Sequence, residues 1–144
     1  MVFTTLGMLI FTFMIIYYEK PFLPLHEIYV FGSNLQGVHG AGAALVARRY
    51  YKAKLGVGSG MTGRAYAIPT RSYDSGVVTS LQLRDIVPYI HEFVQFTQNK
   101  HMRFYVTKVG LGYAGFTVDE IAPHFKGASN CLMPICFKPY LESN

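Results

Sequence analysis

The residues best suited to chemistry lie in two glycine-rich segments, GSNLQGVHGAG at 32–42 and GLGYAG at 110–115. Glycine lets the backbone approach a ligand closely and adopt positive φ. Each segment follows a β-rich run and precedes a sequence typical of a helix. Unpaired N–H groups at a helix N-terminus favour anions. A phosphate site is therefore one interpretation, and a tight turn with close helix–strand packing is the other.

Two such loops in one small domain favour a shared diphosphate site, because ligands of α/β sheets bind at the carboxyl ends of the strands. The dinucleotide fingerprint does not fit the first loop. HGAGAA at 39–44 lacks the G-x-G-x-x-G spacing, and no acidic residue between Glu27 and Asp74 is available for a ribose. The P-loop pattern G-x-x-x-x-G-K-[ST] is absent from the sequence.

Two polar side chains in the first loop are candidate catalytic residues. His39 lies inside the loop, where an imidazole could act as a general acid or base or contact a phosphate. The alternative is a loop histidine that bonds to backbone. Asn34 could orient a water or only a ribose hydroxyl. We expect no metal site and no cofactor, because the remaining histidines lack ligand spacing and two cysteines cannot form a four-ligand zinc site.

Composition narrows the class of protein. The 144 residues fit one domain, and 51% apolar with 15% charged residues excludes intrinsic disorder. The net charge of +5 suits a phosphate-bearing partner but is too small to indicate duplex nucleic acid. Six basic residues lie in the acid-free stretch between Glu27 and Asp74: Arg48, Arg49, Lys52, Lys54, Arg64 and Arg71.

The N-terminal residues 2–18 carry no charge and have three open interpretations. They could form a membrane anchor, a pair of buried strands, or an extension outside the domain, since seventeen residues are at the lower limit for a bilayer span. Residues 19–27 read as a linker because Pro21 and Pro24 oppose regular structure. We therefore expect an apolar extension and linker at 1–25 and the domain at 26–144. The protein would be cytoplasmic, and membrane-anchored if residues 2–18 span a bilayer.

Elements alternate between strand and helix, which predicts a three-layer α/β/α domain with a mixed, mostly parallel sheet. Strands are expected at 28–31, 65–68, 104–109 and 130–137, with Pro69 ending the second. Helices are expected at 43–54 and 83–98, and a capping box from Thr117 to Glu120 begins a third. The polar residues 70–80 are expected to form turns. One face of the 83–98 helix should be buried: Ile86, Ile90, Phe93, Val94 and Thr97.

The order of Asn34, HGAGAA, a helix, GVGSGMTGRAYAIPT, a long helix and FYVTKVGLGYAG resembles the macro domain family from Ile28 to about Pro134. The resemblance is greatest to a divergent macro-like branch found in phage and bacterial genomes. It implies binding of ADP-ribose or a related nucleotide, and an ADP-ribosylated protein as a partner. Hydrolysis of an ADP-ribosyl linkage, or a non-catalytic reader or sponge, would both fit; a membrane-tethered interaction protein is the alternative from residues 2–18.

The resemblance also assigns roles to residues. Asn34 matches a position that contacts the distal ribose, and Tyr113 or Phe116 would cover that ribose or the adenine. Macro domains supply an Asp for adenine, but only Glu19 and Glu27 precede Ile28. Asn34 and His39 are the expected catalytic pair, and the expected ligand-binding residues are Gly32, Ser33, Asn34, Gly37, Gly40, Ala41, Gly42, Gly110, Leu111, Gly112, Tyr113, Ala114, Gly115 and Phe116.

Overall fold

A computed structural model describes residues 15–142 as an α/β fold around one mixed sheet. Its strands are β1 (Ile16–Tyr18), β2 (Ile28–Asn34), β3 (Gly60–Thr62), β4 (Ala65–Asp74), β5 (Val77–Ser80), β6 (Phe104–Val106) and β7 (Cys131–Pro134). Its helices are α1 (Gly42–Tyr50), α2 (Leu83–Phe96), α3 (Val118–Ile121) and α4 (Lys138–Leu141), with 3₁₀ turns at Ala122–Phe125 and Ile135–Phe137.

The strand order is β1-β7-β6-β2-β4-β3, with β5 also paired to β4. The pairs from β1 through β7, β6 and β2 to β4 are all parallel, whereas β3 and β5 run antiparallel to β4. The predicted mixed, mostly parallel sheet is therefore confirmed. Because β6, β2 and β4 are adjacent and parallel, their carboxyl ends meet at one edge, where the site is expected.

Alternating side chains of β2 cover both faces of the sheet. Tyr29 and Phe31 pack with Ala44 and Ala47 of α1 on one face, while Val30 points into the core on the other face. That second core contains the buried side chains of α2 that the helical spacing predicted: Ile86, Ile90, Phe93 and Val94. Helices therefore cover both faces of the sheet, as expected for a three-layer α/β/α fold.

Two expectations about β4 were wrong. Pro69 does not end the strand, which continues to Asp74, and the register between β2 and β4 shifts beside Pro69, where the missing N–H is tolerated. Residues 70–80 form a hairpin rather than only turns. Ser75 and Gly76 both have positive φ, 51° and 83°, which matches the right-handed twist of the two strands.

The domain begins earlier than residue 26, which corrects the predicted boundary. β1 pairs in parallel with β7, and the following segment lies against the sheet. The Tyr18 hydroxyl donates to the Val106 carbonyl at 2.6 Å, and the Tyr51 hydroxyl donates to the Pro24 carbonyl at 2.8 Å. Residues 2–14 of the proposed anchor lie outside the described residues, and no helix within 15–142 is long and apolar enough to cross a membrane.

Candidate functional site

A cleft of about 540 Å³ opens at the carboxyl ends of β6, β2 and β4. This volume lies within the range of small-molecule sites. Most of the residues that the sequence selected line it: Gly32, Ser33, Asn34, Gly40, Ala41, Gly42, Gly110, Leu111, Gly112, Tyr113 and Ala114. Four selected residues do not belong to this lining: Gly37, His39, Gly115 and Phe116. The two glycine-rich loops therefore meet at one cleft.

The N-terminus of α1 forms one wall of the cleft. Its first internal bond runs from the Leu45 N–H to the Ala41 carbonyl, so the N–H groups before Leu45 have no partner within the helix. Ala41 is the N-cap and supplies no side-chain cap. No acidic residue stands in the first turn. The positive end of the helix dipole therefore faces the cleft without a neutralising group from this turn.

The loop from Thr107 to Phe116, after β6, forms the opposite wall. Four backbone hydrogen bonds within the loop fold it into turns, including those from the Gly115 N–H to the Gly112 carbonyl and from the Phe116 N–H to the Gly110 carbonyl. These turns leave the N–H groups of Gly112, Tyr113 and Ala114 without an acceptor in residues 15–142. Consecutive free N–H groups of this kind form an anion-binding concavity.

Asn34 uses its side chain to shape the first loop. Its Nδ2 donates to the Val38 carbonyl at 2.7 Å, and its Oδ1 accepts from the Val38 N–H at 2.8 Å. The amide thus closes the turn that leads from β2 to Gly40. Asn34 borders the cleft, yet both of its polar atoms are already bonded. Its predicted contact with a distal ribose remains a prediction.

Gly37 and Gly58 hold this loop from behind by close packing. A Cβ on Gly37, whose φ is +69°, would lie 2.4 Å from the Val57 nitrogen. A Cβ on Gly58 would lie 2.3 Å from the Asn34 carbonyl oxygen. Ser33 ties the same segment down through a hydrogen bond from its hydroxyl to the Gly58 carbonyl. Gly37 is therefore a packing residue, which corrects its assignment as a ligand contact.

His39 points into the protein rather than into the cleft. The side chain is fully buried, its Nε2 lies 3.1 Å from the Lys54 carbonyl, and its ring packs edge-on against Phe31. Burial lowers the pKa of His39, with a smaller contribution in the same direction from Arg48. The structure therefore gives His39 a neutral, packed role and corrects the expectation that it faces the ligand.

Tyr113 and Arg71 stand together at the mouth of the cleft. The Tyr113 ring is exposed, and the Arg71 guanidinium lies 5.5 Å from the centre of that ring. The Ser80 hydroxyl donates to the Ala114 carbonyl at 2.8 Å, which ties this loop to the β4–β5 hairpin. A guanidinium over an aromatic face is a favourable cation–π arrangement. The hairpin thus forms a third wall, which the sequence reading did not anticipate.

The charged side chains that line the cleft are all positive. Arg71 and Lys108 both border the cleft, and no Asp or Glu is among its lining residues. Within residues 15–142, no group of three or more His, Cys, Asp or Glu is placed to hold a metal ion. Two cations, a helix N-terminus and free loop N–H groups together favour a ligand with adjacent negative charges.

Protein-family models, curated proteins and solved structures each gave no match to this chain. Arg71 and Lys108 were the functional candidates that sequence reasoning missed in this site. The signal available for Arg71 was its place at the end of the basic, acid-free stretch that precedes Asp74.

Proposed function

We propose that this protein binds ADP-ribose or a related nucleotide diphosphate sugar. The observation that carries the proposal is the presence of unpaired backbone N–H groups in two walls of one cleft, at the α1 N-terminus and at Gly112, Tyr113 and Ala114. A diphosphate has two adjacent anionic centres, one for each wall. The resemblance to macro domains supports the choice of ADP-ribose within this class.

Close packing and hydrogen bonds hold the two walls in position. Gly37 packs against Gly56 and Val57, Gly58 packs against the backbone of the first loop, and hydrogen bonds close the turns of the second loop. Backbone donors that are already oriented bind an anion without a further ordering cost. The Tyr113 ring, exposed beside Gly42, is available to cover a bound sugar or base.

Calorimetric titration of the full chain with ADP-ribose, ADP and AMP tests the proposal. Diphosphates should bind in the micromolar range, and AMP should bind at least tenfold more weakly because it reaches one wall only, a difference of about 1.4 kcal/mol. If none of the three bound at millimolar concentration, the proposal would be overturned.

The same protein should be incubated with an ADP-ribosylated protein to separate a reader from a hydrolase. Release of ADP-ribose would assign hydrolysis to this site. Retention of the modified protein without release would assign a reader or a nucleotide sponge. A chain that neither binds the modified protein nor releases ADP-ribose from it would restrict the proposal to free nucleotides.

A further inference from the structure

The edge of the sheet opposite the cleft, where the parallel strands begin, is formed by connections that contact one another. The guanidinium of Arg64, the residue before β4, donates to the Leu25 carbonyl, and the Tyr29 N–H donates to the Arg64 carbonyl at 3.1 Å. The Ile28 N–H donates at 2.8 Å to the carbonyl of Arg103, the residue before β6. We call this continuous surface the amino edge; it comprises residues 24–27, 50–52, 63–64 and 97–103.

The charged residues of the amino edge are mainly basic. Within its four ranges Glu27 is the one acidic residue, beside four basic ones: Lys52, Arg64, Lys100 and Arg103. Lys52 and Arg64 are exposed. A locally positive surface attracts an anionic surface such as a bilayer that contains acidic lipids.

Large apolar side chains are exposed among these basic residues. Leu25 is 76% exposed and Met102 is 38% exposed. Tyr50, at the end of α1, is 59% exposed and adds an amphipathic ring. Aliphatic side chains offer no face on which nucleic-acid bases stack, whereas apolar groups beside Lys and Arg are typical of surfaces that enter the boundary between lipid headgroups and acyl chains. The composition therefore favours a lipid surface over a nucleic acid.

The described chain also enters the fold at the amino edge. β1 is parallel to β7, with Ile16 paired to Leu132, and the first residue of β7, Cys131, is paired to the first residue of β6, Phe104. The start of β1 therefore lies on the same side as the starts of β6 and β7. The sequence that precedes β1, residues 2–14, is mostly apolar and has no charged residue. Its length is too short for a bilayer span and is typical of an interfacial segment.

We propose that the amino edge is a peripheral binding surface for a bilayer containing anionic lipids, and that residues 2–14 enter the headgroup region from the same side. The basic side chains contact lipid phosphates and carboxylates, and Leu25 and Met102 reach the boundary with the acyl chains. The cleft opens at the other edge of the sheet, so it faces away from the bilayer and stays accessible. This surface does not depend on which ligand the cleft binds.

Tryptophan fluorescence tests which edge meets the lipid. The chain contains no tryptophan, so a single introduced one reports on one surface. Leu25→Trp labels the amino edge, and Tyr113→Trp, at a side chain that is 74% exposed, labels the mouth of the cleft. With vesicles of phosphatidylcholine and phosphatidylserine, we expect the Leu25→Trp emission to shift to the blue and become protected from a water-soluble quencher. The Tyr113→Trp emission should not change, and an equal shift in both variants would overturn the proposed orientation.

Sedimentation of the full chain with the same vesicles tests the charge. Lys52→Gln combined with Lys100→Gln should weaken binding about tenfold or more, as should replacement of the vesicles by pure phosphatidylcholine. The control pair, Arg84→Gln combined with Lys108→Gln, removes two cations outside the amino edge and should change binding less than about threefold. The unfolding midpoint of each variant is measured beside its binding, so that loss of fold is separated from loss of a contact.

Three results would overturn the membrane surface while leaving the proposed function in place. The first is a chain that does not sediment with anionic vesicles. The second is an equal loss of binding in both charge pairs, which would assign the attraction to the general charge of the protein. The third is a single-stranded oligonucleotide that changes the Leu25→Trp emission when anionic vesicles do not, which would assign the amino edge to nucleic acid.

Discussion

The ring of Tyr113 lies directly beside Gly42, and a Cβ placed on Gly42 would be 3.3 Å from Tyr113 Cε2. This contact joins the tip of the second glycine-rich loop to the start of α1. The two loops are far apart in sequence but adjacent at the cleft, and a Cβ on Gly42 would require the Tyr113 ring to shift by a few tenths of an ångström. The two glycine-rich loops therefore meet at these two residues.

Substitution of Gly42 by alanine should weaken ligand binding. Its φ is +56°, where a Cβ costs about 1–2 kcal/mol, and the new methyl would press on the Tyr113 ring. We expect the affinity for ADP-ribose to fall about tenfold or more in calorimetry. Gly60→Ala is the matched control, because Gly60 also has a positive φ, nothing lies within 4 Å of its Cβ position, and it does not line the cleft. Equal affinities for the two variants would contradict this account of the site.

Substitution of Gly37 by alanine should destabilise the fold. The Cβ would lie 2.4 Å from the Val57 nitrogen, so a backbone segment must move. We expect the free energy of unfolding to fall by about 2–4 kcal/mol, measured by urea denaturation. Gly56→Ala shares the positive φ but meets open space, so it should cost only about 1 kcal/mol. A cost no greater for Gly37→Ala than for Gly56→Ala would show that the packing against 56–58 is not tight.

His39 should make the fold sensitive to acid without affecting binding. Burial lowers its pKa from 6.5 in the folded protein, so the unfolded chain takes up a proton first as the pH falls. Its contribution is thus fully favourable above pH 6.5, and stability is lost as the pH drops below that value. His39→Gln should flatten the dependence of unfolding free energy between pH 7 and 5, and should keep ADP-ribose affinity within about threefold at pH 7.5.

The pH experiment needs a second histidine as a reference. The pKa of His124 is also lowered, by burial and by His91, so His124→Gln should remove a separate part of the acid sensitivity. An unchanged pH profile in His39→Gln would contradict the buried, neutral histidine. Loss of nucleotide binding in a folded His39→Gln protein would restore the expectation that His39 acts in the cleft.

Tyr18 should be part of the core rather than of a dispensable extension. Its ring stacks on Tyr105 with centres 4.6 Å apart, and its hydroxyl donates to the Val106 carbonyl. Tyr18→Phe should cost about 1 kcal/mol for the lost hydrogen bond, and Tyr18→Ala about 2–4 kcal/mol, because the ring is also lost. Urea denaturation of both variants measures the difference. A Tyr18→Ala protein as stable as wild type would place the domain boundary after this residue again.

Sequence patterns predicted the elements that depend on interactions between residues close in the chain. The buried side of α2 follows from helical spacing, and the capping box at Thr117 is present, with the Thr117 N–H donating to Glu120 at 3.0 Å. Both patterns depend on residues close in sequence. The meeting of the two glycine-rich loops was also predictable, since each follows a parallel strand of the same sheet.

Features set by distant contacts were not predictable in this way. β1 exists because it pairs with β7, which is more than a hundred residues away, and Pro69 stays in its strand because the neighbouring register shifts. The direction of the His39 side chain depends on packing against Phe31 and the Lys54 carbonyl. No spacing within the loop reports such contacts, so the sequence alone could not place the His39 side chain outside the cleft lining.

The most direct test of the diphosphate site follows the backbone N–H groups themselves. In ¹H–¹⁵N correlation spectra of the full chain titrated with ADP-ribose, we expect the largest shifts at Ala43 and Ala44 of α1 and at Gly112, Tyr113 and Ala114 of the second loop. Hydrogen bonds to phosphate oxygens move amide proton signals strongly, whereas nonspecific charge effects spread over the basic surface. Binding accompanied by shifts at other positions, with these five amides unmoved, would contradict the claim that the two loops hold the diphosphate.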